Sequence, residues 1–100
     1  MTIKQTYQDK VEGQLDELNS RIKQLAAKAD DATADMKDKY QAEVKELKEQ
    51  RNKTQAKLQE LEDSGDEAFD DLKRGVDQAL GSLHSAVDDA TARFQNGSSS

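Results

Sequence analysis

The stretch QLAAKADDATADMKDKYQ, residues 24–41, decides the fold, because a helix that enters it either continues through it or turns back. Its centre, residues 28–36, contains no Gly, Pro or Asn, the residues that most often end a helix or form a turn. Asp30, Asp31 and Thr33 have side chains that can cap a new helix, but none is followed three positions later by Glu or Gln. The local chemistry therefore favours a helix without interruption.

The apolar residues of the first two thirds of the chain form one stripe with the spacing of a helix. Steps of three or four residues lead from Ile3 to Leu61, and the stripe keeps its phase across the quoted stretch. We therefore predict one helix over about residues 3–62, which would be about 90 Å long. Its association stripe comprises Val11, Leu15, Leu18, Ile22, Leu25, Met36, Tyr40, Val44, Leu47, Leu58 and Leu61.

A second amphipathic pattern predicts an antiparallel helix over about residues 66–95. The turn before it lies in LEDSGDEAF, residues 61–69, where Ser64 and Glu67 have the spacing of a capping box and Gly65 adds conformational freedom. The seam of this second helix comprises Phe69, Leu72, Val76, Leu80, Leu83, Val87 and Phe94.

Boundary signals mark both ends of the predicted single helical coiled-coil domain, residues 1–95. Thr2 and Gln5 have the spacing of a capping box at the start of the first helix. The sequence NGSSS, residues 96–100, is expected to end the second helix and to form a flexible tail. The predicted fold is all-α, a coiled-coil hairpin that oligomerises.

An alternative all-α fold interrupts the long helix where its stripe is weakest, at Ala29 and Ala32. A turn near residues 30–33 would give three segments of nearly equal length, which suits a compact three-helix bundle. The segments would be 3–30, 33–62 and 67–95.

The hairpin and the bundle differ in whether one chain buries the whole stripe. In the hairpin, the second helix covers about half of the first and leaves the stripe between Val11 and Leu25 exposed. An exposed apolar stripe of that length favours a partner. We therefore expect a homo-oligomer, most simply a symmetric dimer in which each chain covers the N-terminal half of the other. A helical protein partner could bind in the same way.

Composition limits the classes of function. Only 33% of the 100 residues are hydrophobic, which suits a seam between helices better than a broad core. The net charge of −6 disfavours a nucleic-acid partner, because phosphate binding requires clustered Lys and Arg. The N-terminal residues lack the apolar run of a signal peptide, and no stretch reaches the length of a transmembrane helix, so a cytoplasmic protein is expected.

No set of side chains has the spacing of a catalytic, cofactor-binding or metal site. His84 is the only histidine, and the adjacent Ser82 and Ser85 do not form a catalytic group with it. The acidic residues of DSGDEAFDD, residues 63–71, do not have the ligand spacing of a calcium loop. We therefore predict no enzyme activity, no cofactor and no bound metal.

A resemblance to a known family lies in YQAEVKELKEQRNKTQAKLQELEDSGDEAFDDLKRGVDQALGSL, residues 40–83. This part is similar to small acidic bacterial coiled-coil domain proteins of uncharacterised function, which are sometimes likened to apolipoproteins. Its most recognisable segment is AFDDLKRGVDQAL, residues 68–80, where relatives are expected to have Trp near Phe69 and Leu80 and this chain has none. The resemblance implies a helical protein without established catalytic residues.

Three functions fit these features. The leading hypothesis is a non-enzymatic structural or adaptor protein that acts by self-association and by binding partner helices. The first alternative is reversible binding to a lipid or storage-granule surface through the amphipathic stripe, although the acidic last third of the chain is unfavourable for it. The second is a stress-protectant chain that stays disordered until it is partnered or dried.

Overall fold

Three helices that run up, down and up form the fold. The computed structural model describes the backbone of residues 2–98 and the side chains of residues 2–95. Within this part of the chain there is no strand, and the all-α prediction is confirmed. The elements are α1 (Ile3–Asp31), α2 (Ala34–Asp63), a short 3-10 turn (Asp66–Ala68) and α3 (Phe69–Ser98).

The chain turns at Ala32 and Thr33, so the prediction of one helix over residues 3–62 is wrong and the three-helix alternative is confirmed. Both residues are extended, with φ −69° and ψ 158° at Ala32 and φ −62° and ψ 159° at Thr33. Thr33 is the N-cap of α2, but its side chain makes no capping hydrogen bond. The molecule is consequently 51 Å long rather than about 90 Å.

Burial of the apolar stripe explains why the chain turns where the local sequence gives no turn signal. Folding α1 back onto α2 and α3 removes Val11, Ile22 and Leu25 from water within a single chain. Each such side chain contributes about 1.5–3 kcal/mol when it is fully buried. Capping and turn preferences contribute only about 1 kcal/mol each, so tertiary packing outweighs them.

The second turn also differs in detail from its sequence signals. Ser64 is the C-cap of α2, and its hydroxyl donates to the carbonyl of Leu61 at 2.7 Å instead of capping the next helix with Glu67. Gly65 has φ −80°, so the turn does not need the conformational freedom of glycine. By contrast, the capping box predicted for Thr2 and Gln5 is present.

The core is one apolar cluster along the axis of the bundle, shared by all three helices. The backbone of α3 stays helical to Ser98, beyond the end predicted near residue 95. The rest of the predicted tail, residues 99 and 100, lies outside the described residues. The buried apolar residues are Val11, Leu15, Leu18, Ile22, Leu25, Ala29, Tyr40, Val44, Leu47, Leu58, Leu61, Val76, Leu83, Val87, Ala90 and Phe94.

Candidate helix-binding site

The side chains predicted to form an association stripe lie inside the bundle rather than on its surface. All of them are buried except Met36, which is partly buried against the core. The expectation that the stripe from Val11 to Leu25 stays uncovered is therefore wrong, because α3 and α2 cover it within one chain. Of the large hydrophobic side chains that the structure describes, only Ile3 is exposed.

The predicted seam of the second helix faces this core. Val76, Leu83, Val87 and Phe94 are buried. The other three seam residues, Phe69, Leu72 and Leu80, are partly buried and pack against the same cluster. The buried side chains of α2 and α3 thus form an apolar groove in which α1 lies, and we call it the α2–α3 groove.

At its N-terminal end, α1 is fixed by Lys4 and Tyr7. The Lys4 ammonium donates to the carbonyl oxygens of Ser64 at 2.6 Å and Glu62 at 3.2 Å, at the C-terminal end of α2. A cation is favourable there, since it neutralises the negative end of the helix dipole and satisfies free carbonyl groups. The Tyr7 hydroxyl donates to the Asp77 carboxylate on α3 at 2.5 Å.

Tyr7 also makes aromatic contacts with α3. Its ring meets the Phe69 ring edge to face with centroids 5.9 Å apart, and the Lys73 ammonium lies 5.5 Å from the Tyr7 centroid. Burial raises the pKa of the Tyr7 hydroxyl, and the hydrogen bond to Asp77 and its negative charge raise that pKa further. The hydroxyl therefore stays protonated and donates to Asp77 over the whole physiological pH range.

Halfway along the bundle, an ion pair joins α1 to α3. The Arg21 guanidinium lies 2.7 Å from the Asp88 carboxylate, and His84 lies 3.2 Å from the other oxygen of that carboxylate. The hydrogen bond from Arg21, together with the charges of Arg21 and His84, lowers the pKa of Asp88. On the opposite side of α1, Arg51 of α2 donates to the amide oxygen of Asn19 at 2.5 Å.

The other end of the bundle carries an aromatic stack. The rings of Tyr40 and Phe94 are nearly parallel, with centroids 4.0 Å apart, and join α2 to α3. The Tyr40 hydroxyl is buried and has no hydrogen-bond partner among the described residues. Beside the turn, the Gln41 amide donates to the Asp30 carboxylate at 3.3 Å and holds the ends of α1 and α2 together.

The surface between α1 and α3 carries a shallow depression of about 330 Å³. Leu18 and Leu80 supply apolar surface in it, and Arg21 and Asp77 lie at its rim. Gly81 is also part of its lining, and a Cβ atom there would meet no heavy atom within 4 Å. The glycine is therefore not required for close packing of α3 on α1.

A pair of carboxyl groups faces the opposite depression, between α1 and α2. A hydrogen bond with Glu62 is the main cause that raises the pKa of Glu12, and the charges of nearby acids act in the same direction. Among the side chains that the structure describes, no group of three or more acidic, His or Cys residues is placed to hold a metal ion. Glu12 is exposed and Glu62 is half-buried, so the two carboxyl groups form a contact between α1 and α2 at the surface of the bundle.

Sequence reasoning identified the apolar residues of this site but missed its polar contacts. Lys4, Asp77 and Asp88 looked like ordinary surface residues of amphipathic helices. Each has a partner 58 to 70 positions away in the chain, at distances that no local spacing rule covers. Only the turn at residues 32–33, which sets the register of α1, could have indicated them.

In comparisons with protein-family models, curated proteins and solved structures, nothing matches this chain. Among the helices of the described residues, none combines the length and apolar character needed to cross a membrane.

Proposed function

We propose that this chain is a non-enzymatic helix-binding protein of the cytoplasm, with a structural or adaptor role. The observation that supports the proposal is that the α2–α3 groove already holds one amphipathic helix, α1, along its whole length. The covalent connection between groove and helix is only a two-residue turn. A groove that binds a helix through side-chain contacts does not require that helix to belong to the same chain.

The chemistry of the groove favours one kind of partner. Its interior is apolar, so the partner needs apolar residues at helical steps of three and four, as α1 has from Val11 to Leu25. Its α3 rim carries the carboxylates of Asp77 and Asp88. The partner is therefore an amphipathic helix with hydrogen-bond donors or basic groups at the positions that match Tyr7 and Arg21.

An anionic lipid surface fits the same chain less well. Opening the bundle would expose the apolar stripe, but α3 is acidic over its length. It carries three basic residues, Lys73, Arg74 and Arg93, against five acidic ones, Asp70, Asp71, Asp77, Asp88 and Asp89. Like charges repel such a helix from anionic headgroups. A basic-rimmed helix instead meets charges of opposite sign, so a protein partner is the better hypothesis.

The helix α1 competes with any partner for the groove. Because it is tethered, its effective concentration is on the order of millimolar, and an external helix must overcome this advantage. Weakening the polar contacts of α1 should therefore increase the affinity of the groove for an external helix. Tyr7 and Arg21 are suitable positions, since both contacts lie outside the apolar core.

A labelled peptide tests the proposal directly. A peptide of residues 2–33, which keeps the Thr2 cap, should bind the full chain, and binding should be measured by fluorescence anisotropy. A chain with Tyr7→Phe and Arg21→Ala should bind it several-fold more tightly, because the hydrogen bond of Tyr7 to Asp77 and the ion pair of Arg21 with Asp88 no longer hold α1.

The matched control is the same peptide with Leu18→Lys and Ile22→Lys, two substitutions that remove buried apolar contacts. This peptide should not bind either chain. If the unmodified peptide fails to bind the weakened chain, or if the control peptide binds equally well, the proposed function is wrong.

A further inference from the structure

The turn between α1 and α2 is close to helical in one of its two backbone angles. The φ values of −69° at Ala32 and −62° at Thr33 are those of an α-helix, and only their ψ values, near 160°, differ from it. Rotation of ψ at these two residues would join α1 and α2 into one helix. Neither residue is one that helices exclude, and Ala is the best helix former.

Few contacts hold the turn in its bent form, namely the hydrogen bond from Gln41 to Asp30 and the packing of the partly buried Ala32 against the core. The Thr33 side chain makes no capping hydrogen bond, and Ala34 and Asp35 are exposed. The apolar stripe also keeps its helical phase through Ala29, Ala32 and Met36. A straightened chain would therefore present the stripes of α1 and α2 on one continuous face.

We infer that two copies of this chain exchange α1: the turn straightens, residues 3–63 become one helix, and α1 of each copy lies in the α2–α3 groove of the other. This inference rests on the proposed function, since the groove must accept a helix from a second chain. The exchange has two-fold symmetry and closes, so that a dimer forms rather than a fibre.

The exchanged dimer re-forms between chains the contacts that α1 makes within one chain. The hydrogen bonds of Lys4 with Ser64, of Tyr7 with Asp77 and of Arg21 with Asp88 all join α1 to another helix or its end. The buried stripe of α1 likewise meets the same side chains of α2 and α3. Monomer and dimer thus differ mainly at the turn, and protein concentration sets their ratio.

Two substitutions at one position shift this ratio in opposite directions. Pro fits position 33 of the monomer, because φ there is −62° and the preceding residue is extended, as proline requires. Inside a straight helix the same proline costs about 3 kcal/mol per chain, so Thr33→Pro should raise the dissociation constant of the dimer roughly 10⁴-fold. Thr33→Ala removes no capping bond and favours the straight helix.

The first test is the mass of the full chain, by light scattering after gel filtration, following refolding at high protein concentration. Dimer should appear for the unmodified chain, more dimer for Thr33→Ala, and only monomer for Thr33→Pro. Dimer formation by Thr33→Pro equal to that of the unmodified chain would overturn the inference, as would the absence of dimer in Thr33→Ala.

The second test establishes which helix is exchanged. The chain has no Cys, so Arg21→Cys in one copy and Asp88→Cys in another create one thiol per chain. The two positions face each other, since the Arg21 guanidinium lies 2.7 Å from the Asp88 carboxylate in the structure. After joint refolding, a short bis-maleimide should link the two chains if α1 is exchanged. A dimer without this link overturns the exchange, whereas the proposed function is judged separately by the peptide of residues 2–33.

Discussion

Removal of the Tyr40 hydroxyl should stabilise the protein. This hydroxyl is buried and unpaired among the described residues, and the side chain is only 7% exposed. A buried polar group without a partner costs about 1–3 kcal/mol, whereas a phenyl ring keeps the stack on Phe94. We expect Tyr40→Phe to raise the free energy of unfolding by about 1 kcal/mol, which corresponds to a Tm increase of about 4–8 °C.

The assay is thermal and urea unfolding followed by far-UV circular dichroism, with Tyr7→Phe as the matched control. Tyr7 loses a hydrogen bond to Asp77 in that variant, so its free energy of unfolding should fall by about 0.5–1.5 kcal/mol. The same chemical change thus has opposite effects at the two ends of the bundle. A Tyr40→Phe protein that is less stable than the unmodified chain would refute the reasoning.

Two further predictions concern α3. Gly81→Ala should stabilise the protein by about 0.5–1 kcal/mol, measured by urea unfolding. The added methyl group finds no heavy atom within 4 Å, and Ala is the better helix former. A loss of stability would contradict the open surroundings of Gly81. Asp88→Asn should reduce the dependence of Tm on pH. The pKa of Asp88 is lowered in the folded state, so its carboxylate stabilises the fold above pH 3.8, and this stabilisation is lost as the pH falls through the folded-state pKa of Asp88. The Tm difference between the unmodified chain and Asp88→Asn should therefore be largest near neutral pH and narrow in acid, and a difference that widens in acid would contradict this sign.

The residues of the apolar core were predictable because their spacing along the chain alone places them on one face of each helix. Every residue of the predicted stripe and seam lies in or against the core, since a helix with one apolar face must bury that face wherever its neighbours lie. The second turn was also predictable, because the apolar pattern stops between Leu61 and Phe69. The exact use of Ser64 as a C-cap was not, because one hydroxyl can serve either adjacent helix.

The larger error of the sequence-based prediction was to miss the turn at Ala32 and Thr33, and this error has a physical cause. Local chemistry near these residues differs between bent and straight forms by about 1 kcal/mol, whereas burial of the stripe contributes several times more. The weak stripe at Ala29 and Ala32 and the nearly equal lengths of the three segments pointed to the bundle. The contacts of Tyr7 and Arg21 followed from that turn, so an error at two residues concealed the polar half of the site.

The positions of the two tyrosines have a consequence for observing this protein. The chain has no Trp, so Tyr7 and Tyr40 are its main chromophores in the near ultraviolet. Tyr7 lies beside a carboxylate at one end, and Tyr40 is stacked on Phe94 near the turn at the other. Absorption and fluorescence spectra of the two Tyr→Phe proteins would thus record the two ends separately, and fraying of either end becomes visible without an added label.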